Sequence, residues 1–321
     1  MEYLLGIDGG GTKTRAAIAD GNGIVIAEAT AGPSNLHSAS KQQVERTFQE
    51  LFDVLGKSCK PNKLEISYVF AGIAGTASEK NNQIISQILK RLLPGKALIQ
   101  VLPDPINALY SGTYGNPGIV QISGTGSITY GINRHLKHDR VGGWGYLLGD
   151  EGSGYDVGRQ GAVAALKAYD GRGIDTMMLS MFLDHFRVNH PQDFIQKIYS
   201  SISPKNELAD LTKLVFRAYK KKDRAAESII TRAVDEMMLG ITTLYNKLFD
   251  EEEDAEVVLC GGIFTEKDIL PKLLQTRFID TKLVLKLPSM DPAGGALIGA
   301  YLLKEKHVSK RFIRNISNYL K

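Results

Sequence analysis

The chain has 321 residues, 43% of them hydrophobic, and a formal net charge of +4, which suits a globular protein of two domains. This mild charge gives no reason to expect nucleic acid as a partner, and no apolar run approaches the roughly 20 residues that cross a bilayer, so no membrane partner is expected. Two cysteines, Cys59 and Cys260, form neither a disulfide framework nor a metal motif, and Met1–Tyr3 lacks the layout of a signal peptide, so we expect a cytoplasmic protein.

The chain opens with an apolar run that ends in an acid, Asp8, and continues through Gly9–Gly11 and Thr12–Thr14. We interpret this stretch as strand, tight turn and strand. Consecutive glycines suit a turn whose N–H groups approach a ligand, and a phosphate accepts several such bonds at once. Asp8, at the strand end, is suited to hold Mg²⁺ directly or through water. A plain glycine-rich hairpin with a solvated Asp8 is the alternative for this stretch.

The first part of the chain then alternates strands and helices. We predict strands at Gly23–Ala29, Ile66–Gly72 and Ala97–Leu102, and helices at Lys41–Leu55 and Ser78–Leu93. With a further helix after Asp104 the order is βββ-α-β-α-β-α. This order predicts a mixed sheet with helices on its faces.

The opening pattern returns at Gly118–Ile132, where a second turn rich in Gly, Thr and Ser lies between two apolar runs. Such a weak internal repeat predicts two related domains, each beginning with a phosphate-type hairpin, that face one another across a cleft. We place the first domain at 1–115, with the C-terminal helix 305–321 as a candidate addition, and the second at 116–304. Only the first hairpin follows an acid, so a metal is expected on that side.

The second half begins with a glycine-rich loop, Gly142–Gly154, that holds the only tryptophan, Trp144. After it we predict helical regions at Ser153–Tyr169 and Thr176–Val188 and a long pair of helices across Asn206–Phe249. Two strands follow, at Glu256–Cys260 and Lys282–Leu287. The chain then ends with helices at Asp291–Leu303 and Lys304–Lys321.

Five motifs, in this order and spacing, resemble the N-acetylglucosamine kinase family. They are Asp8–Thr14, Ser123–Ser127, Gly142–Gly145, Gly149–Ser153 and Gly261–Phe264. That family belongs to the superfamily of actin, heat-shock ATPases and sugar kinases, alongside the ATPase activators of benzoyl-CoA reductase type. The resemblance covers nearly the whole chain and implies an α/β fold. It implies two ribonuclease-H-like (actin-like ATPase) domains, each a mixed five-stranded sheet with flanking helices, around a nucleotide cleft.

The resemblance implies ATP as the cofactor, with Mg²⁺ at Asp8. The residues that it implies for the nucleotide lie in three turns: Gly11, Thr12, Lys13, Thr14, Gly124, Thr125, Gly126, Gly261 and Gly262. Lys13 is alternatively a solvated strand residue, and the second turn a plain hairpin. The glycines at 261 and 262 are implied for adenosine, and their alternative is a turn that leads into a helix.

Asp104 is the candidate general base, because a sugar kinase needs a carboxylate within hydrogen-bond reach of the reacting hydroxyl. Asp104 precedes Pro105, and Asp followed by Pro is also the ordinary start of a helix. The pair Asp291–Pro292 has the same signature, so the local sequence does not separate the two. The family pattern places the catalytic carboxylate between the two hairpins, which selects Asp104.

The resemblance also implies a sugar site. Its residues are Asn35, Asp104, Ser127, Gly143, Trp144, Gly145 and Asp150. The Asn35 amide offers both a donor and an acceptor to hydroxyls, and Asp150 offers an acceptor. A lone tryptophan is more often a core residue, but the many glycines around Trp144 argue against that alternative.

Together these assignments predict an ATP- and Mg²⁺-dependent kinase acting on the 6-hydroxyl of N-acetylglucosamine or a related amino sugar, as a homodimer. Glucosamine and N-acetylmuramic acid stay open as substrates. An ATPase activator of a 2-hydroxyacyl-CoA dehydratase or benzoyl-CoA reductase system is the main rival, but it needs cysteines placed for an iron–sulfur cluster, and neither Cys59 nor Cys260 suits that role. A sugar-sensing regulator would need a helix-turn-helix signature, which the sequence lacks.

Overall fold

The computed structural model describes residues 2–58, 65–93 and 95–320. Cys59 lies outside the described residues. The chain divides into two compact units, Met1–Gly118 with Lys286–Lys321 and Ile119–Leu285. Each unit has its own five-stranded sheet, which confirms the predicted mixed α/β architecture. Among the described helices, none is both long and apolar enough to cross a bilayer.

The sheet of the first unit has the strand order β3-β2-β1-β4-β5. Its strands are β1 (Glu2–Gly9), β2 (Thr14–Asp20), β3 (Val25–Ala31), β4 (Glu65–Ile73) and β5 (Leu98–Leu102). Strand β1 pairs antiparallel with β2 and parallel with β4, and β4 pairs parallel with β5. The carboxyl ends of these three parallel strands therefore share one edge, where α/β proteins place their ligands.

Helices cover this sheet because apolar side chains recur at helical spacing along their sequences. They are α1 (Lys41–Ser58), α2 (Glu79–Leu92), α3 (Pro105–Thr113), α11 (Pro292–Leu302) and α12 (Lys310–Tyr319). In α1, for example, Val44, Phe48 and Leu51 lie on one face and are fully buried in the core of the unit. The Ser78 side chain caps α2 by accepting from the Asn81 N–H.

The second predicted domain differs from the second unit, because residues 286–304 belong to the first unit. Helix α11 lies against β1 and α3. The approach is so close that a Cβ at Gly6 would lie 2.5 Å from the Leu297 nitrogen, and one at Gly295 would lie 1.9 Å from the Asn107 carbonyl oxygen. This packing joins residues far apart in the chain, so the local sequence of α11 did not reveal it.

The sheet of the second unit has the order β10-β9-β6-β7-β8. Its strands are β6 (Gly118–Ser123), β7 (Ser127–Ile132), β8 (His138–Gly142), β9 (Ala255–Cys260) and β10 (Leu283–Lys286). Strand β6 pairs parallel with β9, and β7 pairs antiparallel with β8. The sequence did not predict β8, which is short and polar.

The helices of the second unit are more numerous than predicted. They are α4 (Gly154–Tyr169), α5 (Met178–Phe186), α6 (Pro191–Ser200), α7 (Pro204–Asp210), α8 (Thr212–Lys220), α9 (Arg224–Leu248) and α10 (Leu270–Arg277). The predicted long pair is in fact three helices, α7 to α9. The chain leaves α8 through Lys222 in a left-handed conformation, and Asp223 then caps α9 by accepting from the Ala226 N–H.

Candidate active site

The first glycine turn joins β1 to β2 and has an open tip. The Gly10 N–H donates to the Lys13 carbonyl at 2.9 Å and closes the turn. Residues 11–13 are exposed, and among the described residues the N–H groups of Gly11 and Thr12 donate to no protein acceptor. The tip therefore has free donors for an anion such as a phosphate.

Thr14 has a different environment from the tip. It is fully buried, and its hydroxyl donates to the Gly32 carbonyl at 2.8 Å. The structure does not support the predicted phosphate contact of Thr14, because this hydroxyl is used within the fold. Lys13 stays exposed, which fits both of its sequence-based interpretations.

Asn35 lies beside the same hairpin. Its Oδ1 accepts from the His37 N–H at 2.9 Å, and a Cβ at Gly75 would lie 2.4 Å from that oxygen. A Cβ at Gly11 would be 3.9 Å from its Nδ2, so the amide reaches the hairpin tip. Asn35 is half-buried, and its Nδ2 group can donate to a ligand hydroxyl.

Asp8 closes β1 and is held by Asn107 of α3. The Asn107 amide nitrogen donates to Asp8 Oδ1 at 2.8 Å, and lies 3.2 Å from the Ile7 carbonyl and 3.1 Å from the Gly72 carbonyl. A Cβ at Gly72 would come within 2.3 Å of this amide, so the position requires glycine. Burial raises the pKa of Asp8 to about 6, the Asn107 hydrogen bond opposes this rise, and the charge of Asp291 adds to it.

Asp104 begins α3, but its side chain makes no capping hydrogen bond. In the other Asp–Pro pair, Asp291 Oδ1 accepts from the Gly294 N–H at 3.0 Å and its Oδ2 is paired with Arg15. The carboxylate of Asp291 is thus occupied as a helix cap, and that of Asp104 is not. Burial, with the negative charge of Asp8 as a second cause, raises the pKa of Asp104 to about 7.

A carboxylate with a pKa near neutrality can both take up and release a proton at physiological pH, as a general base must. The raised pKa values of Asp8 and Asp104 also indicate that this edge of the sheet favours a cation. Within the described ranges, no three or more His, Cys, Asp or Glu side chains group as a metal site, and Asp8 Oδ2 has no protein partner. A single free carboxylate oxygen fits Mg²⁺, which keeps most of its waters.

The second glycine turn joins β6 to β7 and is also open at its tip. The Gly124 N–H donates to the Gly126 carbonyl at 2.9 Å, and Thr125 is exposed. A Cβ at Gly124 would meet nothing within 4 Å. At its base, the Gln121 amide donates to the hydroxyls of Ser123 at 3.1 Å and Ser127 at 3.0 Å. The tip is free for a ligand, whereas the predicted sugar residue Ser127 is bonded inside the unit.

Asp150 is a structural residue of this turn. It is only 5% exposed, its Oδ1 accepts from the Ser127 N–H at 3.0 Å, and its Oδ2 pairs with the Lys205 ammonium at 2.9 Å. A Cβ at Gly126 would lie 2.9 Å from Oδ1, so a glycine is needed there. Protein groups contact both carboxylate oxygens, and each oxygen can accept a further hydrogen bond, so the predicted sugar contact of Asp150 stays a prediction.

The loop after β8 presents Trp144 on a constrained backbone. Gly142, Gly143 and Gly145 have φ values of 73°, 70° and 82°, which L side chains rarely adopt. The Arg140 guanidinium lies 4.2 Å from the centroid of the Trp144 ring and donates to the Gly142 carbonyl at 2.8 Å. Trp144 is 66% exposed, so the alternative of a core tryptophan is wrong.

The two glycines after β9 have separate roles. Gly261 has φ 118°, and a Cβ there would lie 2.2 Å from the Ser123 carbonyl oxygen, so packing alone requires this glycine. A Cβ at Gly262 would meet nothing within 4 Å, which leaves space for a flat ligand. The alternative of a turn that leads into a helix also fits, because Gly262–Phe264 forms a short 3₁₀ helix.

Known proteins match this chain over most of its length. The model of the BadF/BadG/BcrA/BcrD ATPase family matches residues 5–300. The chain belongs to this family. The N-acetylmuramic acid/N-acetylglucosamine kinase of Clostridium acetobutylicum is 36% identical over 304 residues, which are 93% of this chain and 98% of that protein. The N-acetyl-D-glucosamine kinase of Dictyostelium discoideum is 31% identical over 312 residues, 92% of this chain and 97% of that protein.

A crystal structure from Chromobacterium violaceum aligns with a TM-score of 0.70 at 25% identity, over 92% of this chain and 98% of that chain. The resemblance that the five motifs carried is confirmed. The predicted α/β fold with two five-stranded sheets is confirmed as well, because the structure has both sheets and its fold matches that of this crystal structure.

Three residues of the site were missed by the sequence interpretation: Asn107, Arg140 and Lys205. Asn107 had a signal, since it is an amide residue one helical turn after Asp104, between the apolar residues Ile106 and Ala108. Arg140 and Lys205 had none, because charged side chains are ordinary on a surface, and the partner of Lys205 lies 55 positions earlier in the chain.

Proposed function

We propose that this protein is an ATP-dependent kinase that phosphorylates the 6-hydroxyl of N-acetylglucosamine or a related amino sugar. Support comes from the two kinases that align with more than nine-tenths of the chain. The observation that carries the proposal is the Asp104 carboxylate, which caps no helix and has a pKa of about 7. An in-line phosphoryl transfer to a hydroxyl needs such a base.

In the proposed reaction, Asp104 accepts the proton of the sugar hydroxyl while the hydroxyl oxygen attacks the γ-phosphorus of ATP. The new oxygen–phosphorus bond forms as the bond between the γ-phosphorus and the β–γ bridging oxygen breaks, so ADP leaves. The proton then passes from Asp104 to water. A carboxylate with a pKa close to the working pH performs both steps efficiently.

The residues that we propose for the nucleotide have N–H groups without a protein acceptor, an exposed side chain or unfilled space beside them. The N–H groups of Gly11 and Thr12, with Thr125, donate to phosphate oxygens, and the space at Gly262 takes the adenosine. Asp8 holds Mg²⁺, directly or through water. When bound, Mg²⁺ neutralises charge on the phosphate oxygens.

The sugar residues of the proposal are Asn35, through its Nδ2 donor, and the loop of Gly143, Trp144 and Gly145. An exposed indole ring on a constrained backbone suits the apolar face of a pyranose. The sugar is N-acetylglucosamine, N-acetylmuramic acid or glucosamine. We further propose a cytoplasmic homodimer, on the grounds of the family resemblance and of a sequence with only two cysteines.

A coupled ADP-release assay over free sugars tests the proposal. N-acetylglucosamine, N-acetylmuramic acid, glucosamine and glucose are compared with Mg²⁺ present and absent. We expect sugar-dependent ADP release with at least one amino sugar, loss of release without Mg²⁺, and a 6-phosphate product by NMR. ADP release that no sugar stimulates, from a brown protein with an iron–sulfur absorption band, would instead support the activator function.

A further inference from the structure

We propose that the imidazole of His37 belongs to the acceptor-sugar site and binds a carboxylate on the sugar, such as the lactyl carboxylate of N-acetylmuramic acid. This inference rests on the proposed function, in which Asn35 donates to a hydroxyl of the sugar. It adds a residue to that site and gives a physical reason for an acidic amino sugar to be preferred over a neutral one.

The backbone of His37 is fixed by Asn35. Asn35 Oδ1 accepts from the His37 N–H at 2.9 Å, and the Asn35 carbonyl accepts from the N–H groups of Ser38 at 3.1 Å and Ala39 at 2.9 Å. In such a turn an asparagine side chain bonds to the backbone two residues further on. The turn therefore places His37 directly beside the Asn35 amide, whose Nδ2 is the proposed donor to the sugar.

The ring of His37 lies against bare backbone at Gly75. A Cβ at Gly75 would lie 2.4 Å from Asn35 Oδ1, 2.7 Å from His37 Cδ2 and 3.3 Å from His37 Nε2. The amide and the imidazole thus lie side by side at the same glycine. Gly75 has φ 81°, so both its backbone conformation and this close approach require glycine.

The imidazole is open to a ligand. His37 is exposed, and within the part of the chain that the structure describes its ring nitrogens make no hydrogen bond and no ion pair. A ring nitrogen that carries a proton can donate to a carboxylate. The lactyl carboxylate of N-acetylmuramic acid is a few bonds away from the pyranose ring, so a sugar held by Asn35 can present it to the neighbouring imidazole.

The charges near His37 also favour an anion. Three segments meet around its ring and the Asn35 amide, namely residues 10–13, 35–39 and 74–78. They contain the exposed Lys13 and no aspartate or glutamate. Of the two acids that flank them, Asp8 is the proposed ligand of Mg²⁺, and Glu79 begins α2. Hydrogen bonds to a charged partner are stronger than neutral ones, so a carboxylate gains more from this place than a hydroxyl does.

The experiment compares N-acetylmuramic acid with its lactyl amide, which has nearly the same size and no charge. Calorimetry without ATP measures the binding of both sugars and of N-acetylglucosamine, and the ADP-release assay gives kcat/KM for each. His37→Phe keeps a flat ring at Gly75 but has no N–H, and His37→Lys keeps a positive charge. His307→Phe is the matched control, because His307 is also exposed and belongs to the same unit.

We expect the wild type to bind the acid about 5- to 10-fold more tightly than the amide, a modest factor because the contact is partly open to solvent. The acid and the amide should bind equally to His37→Phe, whose affinity for N-acetylglucosamine should stay within about threefold of wild type. His37→Lys should keep most of the preference for the acid, and His307→Phe should keep all of it.

A wild type that binds the acid and the amide equally would overturn the inference. A His37→Phe protein that keeps the preference for the acid, or that binds all three sugars more weakly by the same factor, would also overturn it. If His37→Phe does not fold, His37→Ala takes its place and must meet the same expectations.

The outcomes also separate this inference from the proposed function. A wild type that prefers the acid to the amide but phosphorylates no amino sugar rejects the function, while loss of that preference in His37→Phe still supports the inference. An active N-acetylglucosamine kinase that binds the acid and the amide equally rejects the inference alone. A wild type that binds none of the three sugars rejects both.

Discussion

The side-chain amide of Asn107 donates a 2.8 Å hydrogen bond to Asp8, and Asn107 lies one helical turn after Asp104. The same amide nitrogen is within hydrogen-bond distance of the carbonyl oxygens of Ile7 and Gly72. One fully buried side chain therefore joins the ends of β1 and β4 to the helix that Asp104 begins. The proposed metal ligand and the proposed base thus depend on the same residue for their placement.

We expect Asn107→Ala to lower kcat by about 10- to 100-fold, because loss of a side chain that orients a metal ligand typically has an effect of that size. Stability should also fall, by about 1–3 kcal/mol, since buried carbonyl oxygens lose a donor. Steady-state kinetics over a range of Mg²⁺ concentrations and urea unfolding measure the two effects.

The control for this variant is Asn82→Ala. Asn82 also donates through its amide to a main-chain carbonyl, that of Val101 at 2.6 Å, but on α2. The Asn82→Ala variant should lose about as much stability as Asn107→Ala and should keep the kcat of the wild type. Equal kcat values for Asn107→Ala and wild type would contradict the positioning role of Asn107.

Asp104→Asn should lower kcat by about 10²- to 10⁴-fold, because an amide cannot take up the hydroxyl proton. ATP binding should stay within about threefold of wild type, since the substitution removes no proposed phosphate contact. Asp53→Asn, an exposed change on α1, is the control and should leave kcat unchanged. Near-normal turnover in Asp104→Asn would show that another group is the base.

The pH dependence of the wild type follows from the same carboxylate. The base acts only when ionised, and burial with the charge of Asp8 raises the pKa of Asp104 to about 7. Thus kcat/KM should rise as the pH increases through about 7 and level off above it. Below that value it should fall tenfold for each pH unit. A profile that is flat from pH 5 to 8 would argue against Asp104 as the titrating base.

The parts of this molecule that could be predicted from sequence are those whose signals are local. Apolar periodicity and turn residues predicted both glycine hairpins, and the repeat of one in the other predicted two similar sheets. Asp104 and Asp291 mark the limit of such reasoning. Each precedes a proline, so the local sequence does not separate them, and the family pattern alone selected Asp104. The structure shows a physical difference, because Asp291 accepts from the Gly294 N–H as a helix cap, whereas the Asp104 side chain makes no capping hydrogen bond.

Sequence reasoning missed contacts wherever a residue has partners that are distant in the chain. Thr14 has the residue type of a phosphate ligand, but its hydroxyl is bonded to Gly32. Asp150 has the residue type of a sugar ligand, and its pairing with Lys205, 55 positions later, could not be predicted from the local sequence. Motif and residue type give the chemistry that a side chain can perform, whereas the packing of the unit decides which groups it meets.

Gly261 and Gly262 are adjacent, yet alanine should affect them differently. Gly261→Ala places a Cβ 2.2 Å from the Ser123 carbonyl in a left-handed backbone, so we expect a stability loss of several kcal/mol and poor soluble yield. Gly262→Ala meets no protein atom within 4 Å and should fold normally. If adenosine lies at Gly262, the second variant should bind ATP about 3- to 10-fold more weakly at unchanged sugar KM. Thermal unfolding and calorimetry distinguish the cases, and normal ATP affinity in Gly262→Ala would remove the adenosine assignment.

Trp144→Ala should raise the sugar KM about tenfold and leave the ATP KM within about twofold. The indole buries little surface within the fold, so its removal costs the folded state only the contact with Arg140, about 0.5–1 kcal/mol. The larger effect of the substitution should be on the affinity for the sugar, because a pyranose stacked against the indole ring would lose that contact. Tyr199→Ala is the matched control, since it removes an 83% exposed aromatic side chain from α6 of the same unit and should change neither KM. Trp144→Phe should lie between wild type and alanine. Equal effects of Trp144→Ala on both KM values, or none on the sugar, would show that the loop binds something other than the acceptor sugar.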